Sequence, residues 1–115
     1  IKAYWERSVS LALEAGVTED RIILDPGIGF TDTRDQDLKI LRGLRELRCF
    51  GFPILLGSSR KRITGEPFGF GLEDRLETTL ATTALGIEAG VDFVRVHDVK
   101  GNVRAAKMAD LIVRA

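Results

Sequence analysis

The chain has 115 residues, enough for one domain or part of one, and its 44% hydrophobic and 30% charged content is that of an ordinary globular protein. Its 17 Lys and Arg balance its 17 Asp and Glu with the signs interleaved, which argues against a nucleic-acid surface driven by phosphate neutralisation. No apolar run approaches the roughly 20 residues of a membrane span.

The single cysteine, Cys49, excludes an internal disulfide, reads as a packing residue and fits a reducing, cytoplasmic compartment. The N-terminus, Ile1-Lys2-Ala3, lacks an initiator methionine and starts inside a helical pattern. This suggests a processed chain or a fragment, and it hides any targeting signal.

From Ala3 to Ala15 the residues Trp5, Val9, Ala12 and Leu13 recur at the helical period, and Gly16 offers a left-handed stop. A short apolar strand is predicted over Arg21 to Leu24. It ends at Asp25-Pro26 and enters the loop Gly27-Ile28-Gly29-Phe30. Thr33 and Gln36 have the spacing of a capping box, so a helix starts near Arg34. Leu38, Leu41, Leu44 and Leu47 give it a buried stripe, Arg42, Arg45 and Glu46 face solvent, and Gly51 closes it.

Phe52 to Leu56 reads as a strand buried on both faces. Gly57 breaks it, and Ser58-Ser59-Arg60-Lys61-Arg62 follows: two hydroxyls and then three cations. The glycine-rich stretch Thr64 to Gly71 reads as a loop carrying Phe68 and Phe70. A long helix is predicted over Leu72 to Ala89, where Thr78, Thr79, Thr82 and Thr83 supply small side chains for close helix contacts. After Gly90 come a strand from Asp92 to Val96, the residues His97 and Asp98, and a last helix from about Asn102 with Ala105, Met108, Ala109 and Ile112 on one face.

The order helix, glycine, apolar strand, polar loop thus recurs with a period of about 35 to 40 residues, near the roughly 30 of a (β/α)₈ barrel unit. Alternation of this kind implies a parallel sheet. Parallel strands share a direction, so Asp25, the Ser58 to Lys61 cluster and the Arg95/His97 pair are expected to converge on one face. Each has a plain structural explanation when taken singly: a turn cap, a solvated loop, a hydrogen-bonded pair. Convergence is what makes them a site.

A buried carboxylate at Asp25 would accept two parallel hydrogen bonds from an amidine-like edge, such as a 2-amino-pyrimidinone. Arg95 can stack on a flat ring or fork onto a phosphate. His97, Arg60 and Lys61 can neutralise oxyanions, while Ser59 and the amides after Gly57 can hold a carboxylate or phosphate. Gly27, Gly29 and Gly57 let a ligand approach the backbone. No His/Cys cluster has metal-ligand spacing, so no protein-held zinc is expected. The glycines do not form a dinucleotide fingerprint either, for lack of a third one at the required place.

LDPGIGF (Leu24 to Phe30), GSSRK (Gly57 to Lys61) and RVHDV (Arg95 to Val99) resemble, in order and spacing, three signatures of the C-terminal half of dihydropteroate synthase. The resemblance spans practically the whole chain and implies one domain, residues 1–115 being the C-terminal part of a pterin-binding (β/α)₈ barrel. It implies a transferase of folate biosynthesis. That enzyme joins 6-hydroxymethyl-7,8-dihydropterin diphosphate to 4-aminobenzoate, releasing diphosphate with magnesium present.

By resemblance, Asp25 grips the pterin edge, Lys61 bonds the ring heteroatoms, and Arg95 lies against the pterin and holds the diphosphate with His97. Ser59, Arg60 and Phe30 belong to the aminobenzoate side, where sulfonamides also bind, and Gly57 is counted with the substrate-binding residues. Lys61, Arg95 and His97 are the catalytic candidates. The resemblance also implies a homodimer through helices 72–89 and 102–114, with no nucleic-acid or membrane partner.

Two departures stand out. Thr31-Asp32 follows Phe30 where the family often has a lysine, and the N-terminal half is absent, with its magnesium-binding asparagine and its two flexible loops. The chain alone is therefore expected to be inactive. Two alternatives remain: a related pterin-binding methyltransferase domain, against which the SSRK loop argues, and a non-catalytic half-barrel.

Overall fold

The computed structural model describes residues 1–114. Helix α1, Lys2–Glu14, is anchored by Trp5, whose ring meets Phe50 edge-on with centroids 5.4 Å apart. The indole Nε1 donates to the Asp25 carbonyl at 3.3 Å, tying the first helix to the start of the first loop. Val9 and Ala12 pack against the core, but Leu13, predicted on the same stripe, is 40% exposed.

The predicted strand Arg21 to Leu24 shrinks to one parallel bridge between Leu24 and Ile54, with Glu19–Arg21 forming a 3₁₀ turn before it. The cause lies opposite. Leu24 N–H donates to the Pro53 carbonyl and Leu55 N–H donates to the Leu24 carbonyl, each at 2.9 Å. Extending that ladder toward Ile22 would require an N–H from residue 53, and proline has none.

Strand β1, Leu55–Leu56, and strand β2, Phe93–Val94, form a two-stranded parallel sheet with Leu55 opposite Phe93 and Leu56 opposite Val94. Both strands are shorter than the sequence suggests, though Ile54 adds to the ladder by accepting from Phe93 N–H at 3.1 Å. The spatial order is therefore the Leu24 segment, β1, β2, each connected to the next by helical structure. The architecture is a parallel β/α piece.

Strand burial is one-sided, not two-sided as predicted. Ile22, Leu24, Ile54 and Leu56 point into the core under the helices, whereas Ile23 and Phe93 are 50% and 48% exposed on the other face. Period-two alternation puts Leu55 on that open face with its partner Phe93.

Helix α2, Arg34–Arg42, starts where the capping pattern predicts, with the Thr33 hydroxyl accepting from Gln36 N–H at 3.3 Å. The reciprocal half differs, because the Gln36 side chain accepts from Asp32 N–H at 3.0 Å. Gly43 ends the α-helical run, and Leu44–Phe50 continues as a 3₁₀ helix closed by Gly51 at φ +76. Leu44 and Leu47 are buried as expected. Arg42, Arg45 and Glu46 are exposed as expected, and Arg45 also donates to the Glu88 carbonyl at 2.8 Å, satisfying an open carbonyl at the end of the next helix.

Helix α3 is Leu76–Ala89, four residues shorter at its start than predicted, because Leu72–Asp74 forms a separate 3₁₀ turn. Gly86 lets it reach the sheet: a Cβ there would lie 2.7 Å from Leu56 Cδ2. Helix α4 is Val99–Arg114 and begins earlier than predicted, packing mainly on α3. Its buried side is Asn102 and Ala109, with Met108 and Ile112 of the predicted stripe 56% and 71% exposed.

Candidate functional site

The loops after Leu24, Leu56 and Val94 leave the same end of the parallel sheet. In the first, Ile28 is fully buried and acts as the plug that fixes the loop to the core. Gly27 and Gly29, at φ +80 and +89, turn the chain on either side of that plug. What remains outside is Asp25 and Phe30, the latter 83% exposed. Asp25 is not the buried carboxylate the sequence suggests: its side chain is 38% exposed. One oxygen accepts from Gly27 N–H at 2.8 Å, the other from Arg95 Nη1 at 3.3 Å.

In the second loop Ser58 and Ser59 are almost fully buried. The Arg95 guanidinium lies against Gly57, in the space a Cβ would take. Arg60 turns the chain at φ +57. Helix α3 fixes that turn through its threonines, with Ser58 Oγ bonded to Thr82 Oγ1 at 2.7 Å and Arg60 N–H donating to Thr79 Oγ1 at 3.2 Å. Thr78 donates to the Thr64 carbonyl at 2.6 Å. The threonine cluster read as a helix-contact surface is thus largely a scaffold for the site loop.

Lys61 lays its stem across Gly29, where a Cβ would come within 2.6 Å of Lys61 Cδ. Its ammonium donates to the Ile28 carbonyl and stands 4.9 Å above the Phe30 ring, a cation–π distance. Burial lowers its pKa from the usual lysine value, and the Arg95 cation adds to that, against the opposing pull of Asp25 and Asp37.

The third loop closes the set. Ser59 Oγ bonds His97 Nδ1 at 2.7 Å and accepts from His97 N–H at 3.2 Å. A hydroxyl can donate to a neutral imidazole or accept from an imidazolium, so this contact survives either charge state of His97. Arg60 forks onto Asp98, with Nη2 to Oδ1 at 2.9 Å and Nε to Oδ2 at 3.3 Å.

Asp25, Phe30, Gly57, Ser59, Arg60, Lys61, Arg95 and His97 are thereby linked by direct contacts across three loops. Arg62, the last cation of the second loop, is bonded to Asp37, and Asp37 is completely buried. Sequence reasoning missed Asp37, though its phase offered a signal: it stands three and four residues before the partly buried Ile40 and Leu41, on the inward side of α2. Asp98 and the Thr83–Asn102 pair, bonded at 2.7 Å, were also missed.

Among the described residues no group of three His, Cys, Asp or Glu side chains could hold a metal ion. The site is an open, cationic surface suited to a flat polar ring with an anionic tail. An apolar groove of about 670 Å³ lies between α2 and α3, lined by residues such as Leu41, Ile63, Phe68 and Leu85.

Comparison with known proteins returns one family model, described as pterin binding enzyme, over residues 1–97. The chain is 50% identical over 107 residues to a dihydropteroate synthase of Clostridium beijerinckii, covering 92% of this chain and 40% of that protein. It is 49% identical over 106 residues to a dihydropteroate synthase of Bacillus subtilis, covering 92% and 37%. It therefore spans about 40% of the length of these curated relatives. Among solved structures, a dihydropteroate synthase of Clostridium difficile in the presence of pteroic acid matches with a TM-score of 0.96 and 48% identity, over 100% of this chain and 44% of that one. A Yersinia pestis dihydropteroate synthase with a sulfonamide drug matches at 0.93 and 28% identity, over 96% and 40%.

Proposed function

The chain belongs to the pterin-binding enzyme family, and we propose that its activity there is dihydropteroate synthesis, a transferase step of folate biosynthesis. The substrates are 6-hydroxymethyl-7,8-dihydropterin diphosphate and 4-aminobenzoate; the products are 7,8-dihydropteroate and diphosphate. The observation that carries this reading is the convergence of Asp25, Lys61 and Arg95 at one end of the sheet beside the Ser59–His97 pair. The likeness to a synthase structure with pteroic acid supports it.

In this reading Asp25 takes the amino-pyrimidinone edge of the pterin, exchanging its bond from Arg95 for two parallel bonds from the ring. Lys61 exchanges the Ile28 carbonyl for the ring heteroatoms. Arg95, freed from Asp25, and His97 meet the diphosphate. The C–O bond to diphosphate breaks with its electron pair leaving on oxygen, and the resulting pterin-methyl cation is delocalised over the ring. The 4-aminobenzoate nitrogen then bonds to the methylene carbon and loses a proton. Preplaced cations stabilise the leaving group, and Phe30, Ser59 and Arg60, with the amides after Gly57, orient the second substrate.

Magnesium, implied by the family resemblance, has no ligand set among the described residues. We place its ligands outside residues 1–115. Residues 1–115 form the C-terminal part of a (β/α)₈ barrel in this account, and the open apolar face of Ile23, Leu55 and Phe93 supports barrel closure, since that face would become the barrel interior. Turnover then needs the remainder of the barrel. A homodimer through α3 and α4 is proposed on the exposed Leu85, Met108, Leu111 and Ile112. Sulfonamide sensitivity and a cytoplasmic location belong to the same reading.

The test is release of diphosphate by a complete polypeptide carrying residues 1–115, with and without 4-aminobenzoate. Release that depends on 4-aminobenzoate, with kcat/KM for the pterin diphosphate at least about a hundredfold lower in Lys61→Ala, is expected. Near-normal turnover by Lys61→Ala would remove Lys61 from its role, and release independent of 4-aminobenzoate would point to other chemistry.

A further inference from the structure

Lys61 is held in place by contacts that neither it nor any substrate makes. Asp37, with no exposed side-chain surface, accepts from Gly29 N–H at 3.0 Å, from Thr31 Oγ1 at 2.6 Å and from Arg62 Nε at 3.1 Å. Arg62 Nη2 donates in turn to the Thr31 carbonyl at 2.5 Å and to Thr31 Oγ1 at 2.9 Å. The donors Gly29 and Thr31 flank Phe30, and Arg62 follows Lys61 directly. The ion pair thus joins the loop that carries Asp25 and Phe30 to the loop that carries Lys61, at the one place where their ligand-facing residues meet. Gly29 is bonded by Asp37 on one side and overlain by the Lys61 stem on the other.

We propose that Asp37 and Arg62 are positioning residues, a buried clamp between the two loops that sets where Lys61 and Phe30 stand for the pterin ring. This rests on the pterin-transferring reading above. A buried carboxylate that only stabilised the fold would have no reason to spend its bonds on the backbone and side chain flanking one site residue and on the neighbour of another. The Asp37 carboxylate is fully enclosed, so water does not compete for the bonds it accepts, although Arg62 reaches it from a side chain that is 29% exposed. Asp37 has no exposed side-chain surface, so it acts only through the residues it bonds, Gly29, Thr31 and Arg62, and through them on Phe30 and Lys61.

The variants that test this are Asp37→Asn and Arg62→Lys in a complete polypeptide carrying residues 1–115. Asn keeps the shape of Asp37 and its acceptor toward Gly29 but turns an amide N–H₂ against Arg62 Nε. Lysine keeps the charge of Arg62 but cannot fork onto Thr31. Thr83→Val, which removes a buried hydroxyl bonded to Asn102 and to neither of the two clamped loops, serves as a control for lost stability.

The expected result is a rise in KM for the pterin diphosphate of about tenfold in Asp37→Asn, with kcat changed less than about threefold, because Lys61 bonds the ring in ground and transition states alike. Arg62→Lys should lie between it and the parent, and Thr83→Val should leave KM unchanged. Parent-like KM and kcat in Asp37→Asn would overturn the proposal. Backbone amide exchange on the same samples separates this failure from that of the proposed activity: Gly29 and Lys61 amides should exchange faster in Asp37→Asn whether or not the protein turns over. Unchanged exchange at both would overturn the clamp itself.

Discussion

Replacing Gly29 with alanine is expected to harm the site far more than the fold. Gly29 has φ +89, where an L side chain is strained, and that strain costs on the order of 1–2 kcal/mol. In a complete barrel of about 250 residues such a loss lowers Tm by roughly 2–4 °C per kcal/mol. The added Cβ would stand 2.6 Å from Lys61 Cδ and 3.3 Å from Cε. Relief to ordinary contact near 3.6–3.8 Å requires the lysine stem to move by about 1 Å. A displacement of that size at a substrate-positioning group costs on the order of a hundredfold in rate.

Gly27 supplies the comparison, having φ +80 with nothing within 4 Å of its Cβ position. Gly27→Ala therefore carries the backbone strain without the collision. Calorimetric Tm and kcat/KM for the pterin diphosphate, measured on both variants in one complete polypeptide, should show similar Tm losses but at least a tenfold larger loss of kcat/KM for Gly29→Ala. Equal losses of kcat/KM would refute the placing of the Lys61 stem across Gly29.

Two further outcomes concern stability. For Asp37, burial pushes the carboxyl pKa up, but Thr31, Gly29 and Arg62 together outweigh it and hold the value below the ordinary one. Stability from this group is therefore fully present above the unfolded pKa near 4 and is lost as pH falls through the lower folded value. Denaturant titrations should show a shallower acid decline for Asp37→Asn than for the parent; identical declines would contradict the shift. Asn102 accepts from Thr83 Oγ1 at 2.7 Å and donates to the Asp98 carbonyl at 2.9 Å, wholly buried. Asn102→Ala strands the Thr83 hydroxyl, while the Asp98 carbonyl keeps the Asn102 backbone N–H at 3.1 Å, and should cost about 1–3 kcal/mol in urea unfolding; a cost near zero would mean that water replaces the amide.

The site was legible in the sequence because it is built at strand ends. An apolar run that stops at Asp25, at Gly57 or at Arg95 announces both the strand and the place where it delivers polar groups. The lengths of the strands were not legible, since they depend on what lies opposite: Pro53 cuts the Leu24 ladder, and that is a pairing fact, not a property of residues 21–24. The two-sided burial predicted for residues 52–56 failed because burial of the Ile23, Leu55 and Phe93 face is decided by what closes over it, which no period in this chain encodes.

The threonines of α3 misled for a different reason. Small side chains at helical spacing look like a packing surface, and only the fold reveals that Ser58, Arg60 and Thr64 present partners to them. Asp37 was hidden by its type, because an acid in the first turn of a helix reads as a dipole or capping residue and its burial depends on Arg62 arriving from 25 positions away.

The central claim is that Asp25 and Lys61 receive a pterin, and the position of bound pteroic acid in a crystal of a complete polypeptide carrying these residues tests it most directly. The amino-pyrimidinone edge is expected on the Asp25 carboxylate, with Lys61 Nζ moved from the Ile28 carbonyl to the ring and the Arg95–Asp25 bond broken. Pteroic acid bound elsewhere, with the Asp25–Arg95 and Lys61–Ile28 contacts intact beside it, would contradict it.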